Sequence, residues 1–342
     1  MANKNSLSRR NFVKGAGLGT AAGTVTGTVD AAVLETVSHS RLPREVRVAS
    51  MTLEKVSGET PAGVVDQVMA RLQQVAGAEP DIICLPELFN TSHSKVKSPL
   101  SLVAESVPGP TTERLSEFAR AHHCYIIAPM SVAMDGKYFN SAVVIDREGR
   151  ITGRYDGVAA TVGEMQFGFS CGTEAQVFET DFGKIGVQIC FDVNFLTGWE
   201  QLRQRGAEIV FWPSAYPGGR LLQGRAWDHE YYVVTAPWNN PAKVIDITGD
   251  VLQESGTWRH WVCAPINLER QLFTWDSGRK AFEEVQQKYG QAVYTEWYHE
   301  ENWGIVESRS PDLIIAQIIK ETGLKPHRDT WREAEEYKKR HR

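Results

Sequence analysis

The chain has 342 residues, 42% hydrophobic and 23% charged, with a formal net charge of −5. This is a globular composition with ample length for a large core. Mild acidity argues against a nucleic-acid surface or a basic membrane patch, and no apolar run approaches the ~20 residues needed to span a bilayer. The expected partners are a small molecule or further copies of the chain. Five cysteines (Cys84, Cys124, Cys171, Cys190 and Cys263) are few and odd in number, so they do not form a disulfide framework.

The N-terminus reads differently from the rest. "SRRNFVKGAGLGTAAGTVTGTVDAAV" joins Arg9, Arg10, Phe12 and Lys14 to a weakly apolar Gly/Ala/Thr run with no acid before Asp30, the layout of a twin-arginine export signal. Residues 1–32 are expected to be removed or to stay outside the fold, with small residues from Val29 to Ala32 as a cleavage region. Export to the periplasm or the cell exterior follows. "GAGLGTAAG" imitates a dinucleotide-binding loop, but no strand precedes it and no acid follows at the required distance. No cofactor and no metal is expected.

From residue 45 the pattern is regular. "EVRVASMTL" reads as a strand, "PAGVVDQVMARLQQVAGA" as an amphipathic helix, "DIICLPEL" as a buried strand, "TTERLSEFARAHH" as a helix and "CYIIAPMSVA" as a strand. "YFNSAVVIDREGRITGRY" and "AQVFETDFGKIGVQICFD" each read as a hairpin, around Arg147–Gly149 and Asp181–Gly183. "GWEQLRQRG" (helix), "AEIVFWPSA" (strand), "GRAWDHEYY" (helix) and "VVTAPW" (strand) follow. The alternation predicts one layered α/β domain. Past about residue 270, "RKAFEEVQQKYG" and "DTWREAEEYKKRHR" read as charged helices flanking an aromatic stretch with Trp297, Tyr298 and Trp303.

Two strand ends concentrate the unusual chemistry. In "DIICLPELFN" an apolar strand runs into Glu87, a carboxylate that needs a partner or a shifted pKa if buried; a solvated loop Glu is the bland alternative. In "GVQICFDVNF" Cys190 ends an equally apolar strand beside Asp192, where an inert buried Cys is the common outcome. Together with "YFNSAVVIDREGRITGRY", "CGTEAQVFETDFGKIGVQICFD" and "RGAEIVFWPSAYPGG", these segments resemble, in order, the nitrilase superfamily of carbon–nitrogen hydrolases, nearest its amidase and N-carbamoyl amino-acid hydrolase (β-ureidopropionase-like) branch.

That resemblance implies a four-layer αββα sandwich over residues 43–270, with residues 271–342 as an extension packing on the domain or on a second subunit of a homo-oligomer, dimer or higher. It implies Glu87 as general base, Cys190 as nucleophile, Glu164 of "VGEMQFG" as a second, positioning glutamate, and the backbone N–H of Phe191 as an oxyanion donor. The substrate would be a small amide or ureido compound. A thiolate made by a neighbouring base is the nucleophile such carbons require, and the tetrahedral oxyanion then needs a fixed donor or cation.

The family's catalytic lysine has no counterpart. Aligned on Tyr155, Val158 and Thr161, its position in "GRYDGVAATVGE" is Gly157, and the next family positions are Ala159 and Ala160. Arg154 lies an odd number of residues away and is expected on the opposite strand face. Lys137 and Lys184 are expected, solvated, in hairpin turns. Impaired hydrolysis is the expectation, with a catalytically silent binding or scaffold protein as the alternative; a simply tightened Asp156–Gly157 turn would fit too. "GFSCG" around Ser170 matches a nucleophile elbow but lacks the strand–turn–helix context. His122, His123 and Cys124, being adjacent, point apart rather than ligate together. Trp212, Tyr216, Trp227, Tyr231 and Trp238 could line a pocket, though such runs are more often core.

Overall fold

The computed structural model describes residues 42–274 and 278–341; residues 1–32, expected from the sequence to be an export signal, lie outside them. The first sheet begins with β1 (Glu45–Met51) and, after α1 (Pro61–Ala76), β2 (Ile82–Cys84). Thr60 caps α1 by accepting the Gly63 N–H, Pro61 supplies a preset φ in the first turn, and Val64, Val68, Leu72 and Val75 form its buried stripe. β2 is shorter than "DIICLPEL" suggested, because Pro86 has no N–H to continue the ladder.

A four-residue helix, α2 (Leu100–Val103), and α3 (Pro110–His122) lead to β3 (Tyr125–Met134), β4 (Lys137–Ile145) and β5 (Ile151–Asp156). Asp135 and Gly136, both at positive φ, make the two-residue β3–β4 turn. Lys137 therefore opens β4 rather than sitting in the turn. His123 ends α3 in the left-handed conformation and Cys124 is buried. The short helix α4 (Val162–Phe167) precedes β6 (Phe169–Ser170), which pairs with β4. Ser170 is thus in a two-residue strand, not at an elbow.

The second sheet contains β7 (Val177–Glu179), β8 (Lys184–Val187), β9 (Ile209–Ser214), β10 (Tyr232–Pro237), β11 (Lys243–Ile245) and β12 (Val251–Glu254), with α5 (Leu196–Gln204) and α6 (Arg220–His229) between strands. The order is β12-β11-β10-β9-β8-β7, while β13 (Trp261–Asn267) returns to pair antiparallel with β1 at the edge of the order β13-β1-β2-β3-β4-β5. α6 starts four residues before the expected "GRAWDHEYY", on Gly218 and Gly219, both at positive φ.

Alternation along the strands decides the layering. Val46 and Val48 of β1, with Ile209 and Phe211 of β9, point into the core between the sheets. Ala49 and Met51 face α1 and α3, and Val210 and Trp212 face α5 and α6. Sheets apolar on both faces must be covered on both, which gives the αββα sandwich. Each fully buried Val, Leu or Ile contributes roughly 1.5–3 kcal/mol.

Beyond β13, the charged stretch holds more strand than its composition suggested. β14 (Arg270–Thr274), β15 (Val293–Tyr298) and β16 (Trp303–Ser308) form a three-stranded sheet, with α7 (Gly278–Tyr289), α8 (Ile315–Thr322) and α9 (His327–Arg340) around it. Phe273, Phe282, Val306 and Ile318 fill its own small core. This unit packs on the sandwich: the Trp227 and Trp303 rings stack at 4.0 Å, and His327 Nδ1 lies 2.6 Å from Glu230 Oε1. Trp227 is accordingly structural, Tyr231 is fully buried, and among the described residues no helix is long and apolar enough to cross a membrane.

Candidate active site

Glu87 follows β2 in a tight turn, with Leu88 at φ +46°. The Trp238 indole N–H donates to the Glu87 carbonyl at 2.6 Å, and the side chain is only 3% exposed. Its acceptor oxygen Oε1 takes a 2.7 Å bond from the Asn140 amide of β4, which also reaches Glu164 Oε1 at 3.4 Å. Glu164 is held by its own helix start. Thr161 caps α4 by accepting the Glu164 N–H, while Glu164 Oε2 accepts both the Thr161 N–H and hydroxyl at 2.8 Å.

Cys190 does not end a strand as "GVQICFD" suggested. β8 stops at Val187, and Cys190 opens a 3-10 turn with φ +43°, a conformation costly for a side chain with Cβ. Two anchors hold it. The Trp212 indole N–H donates to the Cys190 carbonyl at 3.1 Å. Asp192 Oδ2 accepts the Ile189 N–H and the Tyr155 hydroxyl, both at 2.7 Å, and Oδ1 accepts the Ala159 N–H at 2.8 Å. One carboxylate thus fixes the Cys190 turn against β5 and the segment after it.

The structure brings Glu87, Glu164, Cys190, Gly157 and Phe191 around one narrow space of about 10 Å³, walled also by Asn140, Ala159 and Ala160. A cavity of about 460 Å³ adjoins it, sharing Glu164 and Phe169 and lined mainly by apolar groups including Leu88, Leu100, Phe167 and Trp238. Of the five candidate pocket aromatics, Trp238 lines this cavity. Trp212 is buried beneath Cys190, and Tyr216, stacked edge-on to Trp212, has its phenol raised by burial and by the charges of Cys190 and Glu87.

Gly157 is not a turn glycine. It continues β5, donating its N–H to Asn140 O at 3.0 Å, and its φ is not among the positive ones. A Cβ there would meet Asn140 O at 3.5 Å and Ile189 at 3.9 Å, ordinary contacts. Asp156 precedes it but looks away, paired with Arg154 at 2.8 Å and with the Ser141 hydroxyl at 2.5 Å. Arg154 is engaged on that outer face, as the strand period required. Lys184 pairs with Glu179 at 2.9 Å as the first residue of β8, and Lys137 is exposed.

The electrostatics follow from burial without a counter-ion. Burial pushes the Glu87 carboxyl up to about 7, reinforced by the Glu164 charge and opposed by the Asn140 amide, the Cys190 thiol and the Ala215 N–H. Burial and the Glu87 charge push the Cys190 thiol up to about 12, against the Ser214 hydroxyl and the Ala215 N–H. No cation is among these strongest influences. Asn140, Ser214 and Ala215 escaped the sequence reading. For Asn140 the usable signal was an amide inside the apolar run "YFNSAVV", where a buried polar group must have a partner.

Residues 47–271 match a family model described as carbon–nitrogen hydrolase. An omega-amidase of Xenopus tropicalis is 28% identical over 225 residues, covering 58% of this chain and 80% of its own. The Homo sapiens omega-amidase is 27% identical over 233 residues, covering 60% and 83%. An amidase from Nesterenkonia sp. superimposes with TM-score 0.57 at 20% identity, over 65% of this chain and 90% of that one. In a mutant of that amidase, the acetamide moiety of fluoroacetamide is covalently added at the active-site cysteine.

Proposed function

The chain belongs to the carbon–nitrogen hydrolase family, and from that membership we propose that it hydrolyses small amides through a Cys190 thioester, slowly for want of a fixed cation. The observation that carries this is the convergence of Glu87, Glu164 and Cys190 on a narrow space that adjoins a substrate-sized, mainly apolar cavity. The amidase and omega-amidase relatives favour amides over N-carbamoyl compounds as the substrate class.

The Cys190 thiol proton passes to the Glu87 carboxylate as sulfur bonds to the carbonyl carbon, giving a tetrahedral oxyanion that faces the Phe191 N–H. Collapse breaks the carbon–nitrogen bond while Glu87 returns the proton to the leaving nitrogen, and ammonia or an amine departs. Water then adds to the thioester, giving its proton to Glu87. The sulfur leaves, recovers that proton, and the acid is released. A thiol near 12 supplies little thiolate at neutral pH, and one missing oxyanion donor typically costs on the order of 100- to 1000-fold in turnover.

The test is turnover of a panel of amides, N-carbamoyl amino acids and nitriles by the wild-type chain beside Cys190→Ala. Hydrolysis that survives in Cys190→Ala removes the thioester mechanism. Gly157→Lys, at a backbone position where a Cβ meets only ordinary contacts, is expected to raise turnover about 100-fold if the absent cation limits the rate; an unchanged rate sinks that half of the reading. The raised thiol also favours a second reading, a catalytically silent binding protein, for which both proteins are inactive toward the whole panel. Residues 1–32 direct export through the twin-arginine route, and the chain works as a homo-oligomer; cell fractionation and sedimentation check the two.

A further inference from the structure

We propose that the inner end of this site is a pocket for a primary ammonium group, and that the amides the chain favours carry their own ammonium beside the scissile carbonyl. The second half rests on the amidase reading above; the first does not.

Three observations converge. Glu87 is 3% exposed, yet its Oε2 has no partner in hydrogen-bonding geometry, the Cys190 thiol and the Ala215 N–H lying near the carboxyl without completing such a bond, and the Asn140 amide that serves Oε1 is shared with Glu164 and leaves its own Oδ1 unpartnered. An uncompensated buried carboxylate oxygen is costly. A donor bearing positive charge and several hydrogens relieves it in a way that a further neutral donor matches poorly. Second, the space these groups enclose, about 10 Å³, is at the lower limit for one water molecule, and an ammonium head is of that size. Gly157, Ala159 and Ala160 leave this side free of large side chains. Among the described residues no ion pair engages Glu87 or Glu164.

Third, the outer cavity of about 460 Å³ begins where the inner one ends, at Glu164 and Phe169. Its lining cation, Lys97, gives its Nζ to the Ser92 carbonyl at 3.2 Å. A ligand with an ammonium head and an apolar body fits this division. In an α- or β-amino amide the ammonium lies within reach of its own carbonyl oxygen. Lodged against Glu87 and Glu164, it would also face the oxyanion formed when Cys190 attacks, so the substrate itself supplies the charge the protein lacks. The group faced by the ammonium titrates: Glu164 from α4, Cys190 from its turn and Tyr216 after β9 surround Glu87, with the neutral Asn140 from β4. A cation prefers the ionised Glu87, so binding weakens as pH falls through about 7.

Binding is read by calorimetry on Cys190→Ser, which separates it from catalysis. Butylammonium is expected to bind at least ~10-fold more tightly at pH 8 than at pH 5.5, while butanol and tetramethylammonium, one uncharged and one too large, bind weakly at both. Glu87→Gln and Glu164→Gln, each first shown by circular dichroism to melt cooperatively, should weaken butylammonium at least ~10-fold; Gly157→Lys, placing an ammonium in the same space, should exclude it. Butylammonium binding no tighter than butanol, or untouched by Glu87→Gln, overturns the pocket. In wild type, leucinamide should exceed 4-methylpentanamide in kcat/KM by about 100-fold, and equal rates overturn the substrate class. Binding of butylammonium with neither amide hydrolysed upholds the pocket and defeats the amidase reading instead.

Discussion

Glu87 is held in a place that disfavours its charge. Its carboxyl titrates near 7 in the fold against 4.5 when free, because burial, with the Glu164 charge, outweighs the Asn140 amide, the Cys190 thiol and the Ala215 N–H. A raised acid pKa means that the folded chain holds this proton more tightly across that window, so stability falls as pH rises through it and the full penalty is present above about 7. The penalty is on the order of 3 kcal/mol. Glu87→Gln keeps an oxygen for Asn140 and removes the charge; it should therefore raise Tm at pH 8 and leave it nearly unchanged at pH 4. A mutant Tm at pH 8 equal to or below wild type would mean that the carboxylate has compensation from groups not identified. The residues that meet around the narrow space were legible as types in order: Glu87, Glu164, Cys190 and Gly157 come from local motifs. Asn140 was not, since its role is a contact made 53 residues away from Glu87, and the strained φ of Cys190 is a property of a turn that an apolar run conceals.

The turn carrying Cys190 depends on Asp192 in the way a hairpin depends on its ladder. Its carboxylate gathers β5 through Tyr155, the Ala159 backbone and the Ile189 backbone. Asp192→Ala would leave the buried Ile189 N–H, the partly buried Ala159 N–H and the buried Tyr155 phenol without their acceptor, at roughly 1–3 kcal/mol for each unsatisfied buried group. A loss of 3 kcal/mol or more in urea unfolding is expected, together with loss of whatever hydrolysis the wild type shows. A variant with wild-type stability would show that Trp212, bonded to the Cys190 carbonyl, holds the turn alone. Elements with strong local signals were readable: α1 has its Thr60 cap and an apolar stripe, and the β3–β4 turn has Asp135–Gly136. Others were not. Pro86 cuts β2 short, paired positive-φ glycines start α6 early, and β14 to β16 hide in charged, aromatic sequence because their apolar residues are split between two cores, Leu272 and Ile305 joining the sandwich and Phe273 and Val306 packing with α7 and α8.

Arg270 shows how the whole molecule is tied together. It begins β14, three residues after β13 leaves the first sheet, and its guanidinium meets Asp246 next to β11 of the second sheet at 2.9 Å and Glu307 of β16 in the third at 2.5 Å. Asp246 is 2% exposed, and its Oδ1 has no hydrogen bond. Removing Arg270 would therefore strand a buried charge rather than merely delete an attraction, and breaking such a pair from one side costs about 3–5 kcal/mol. Arg270→Ala is expected to lose that much stability and to loosen the extension, seen as faster amide exchange in β14 and β16. The origin of the cost is separable. If it lies in the orphaned carboxylate, adding Asp246→Asn to Arg270→Ala should recover part of the loss, whereas Asp246→Asn alone should destabilise. If the double variant is as unstable as the sum of the singles, the two residues are not coupled. The extension would then be held by the Trp227–Trp303 stack and the Glu230–His327 contact instead, and Trp303→Ala should separate it from a sandwich whose core stays protected.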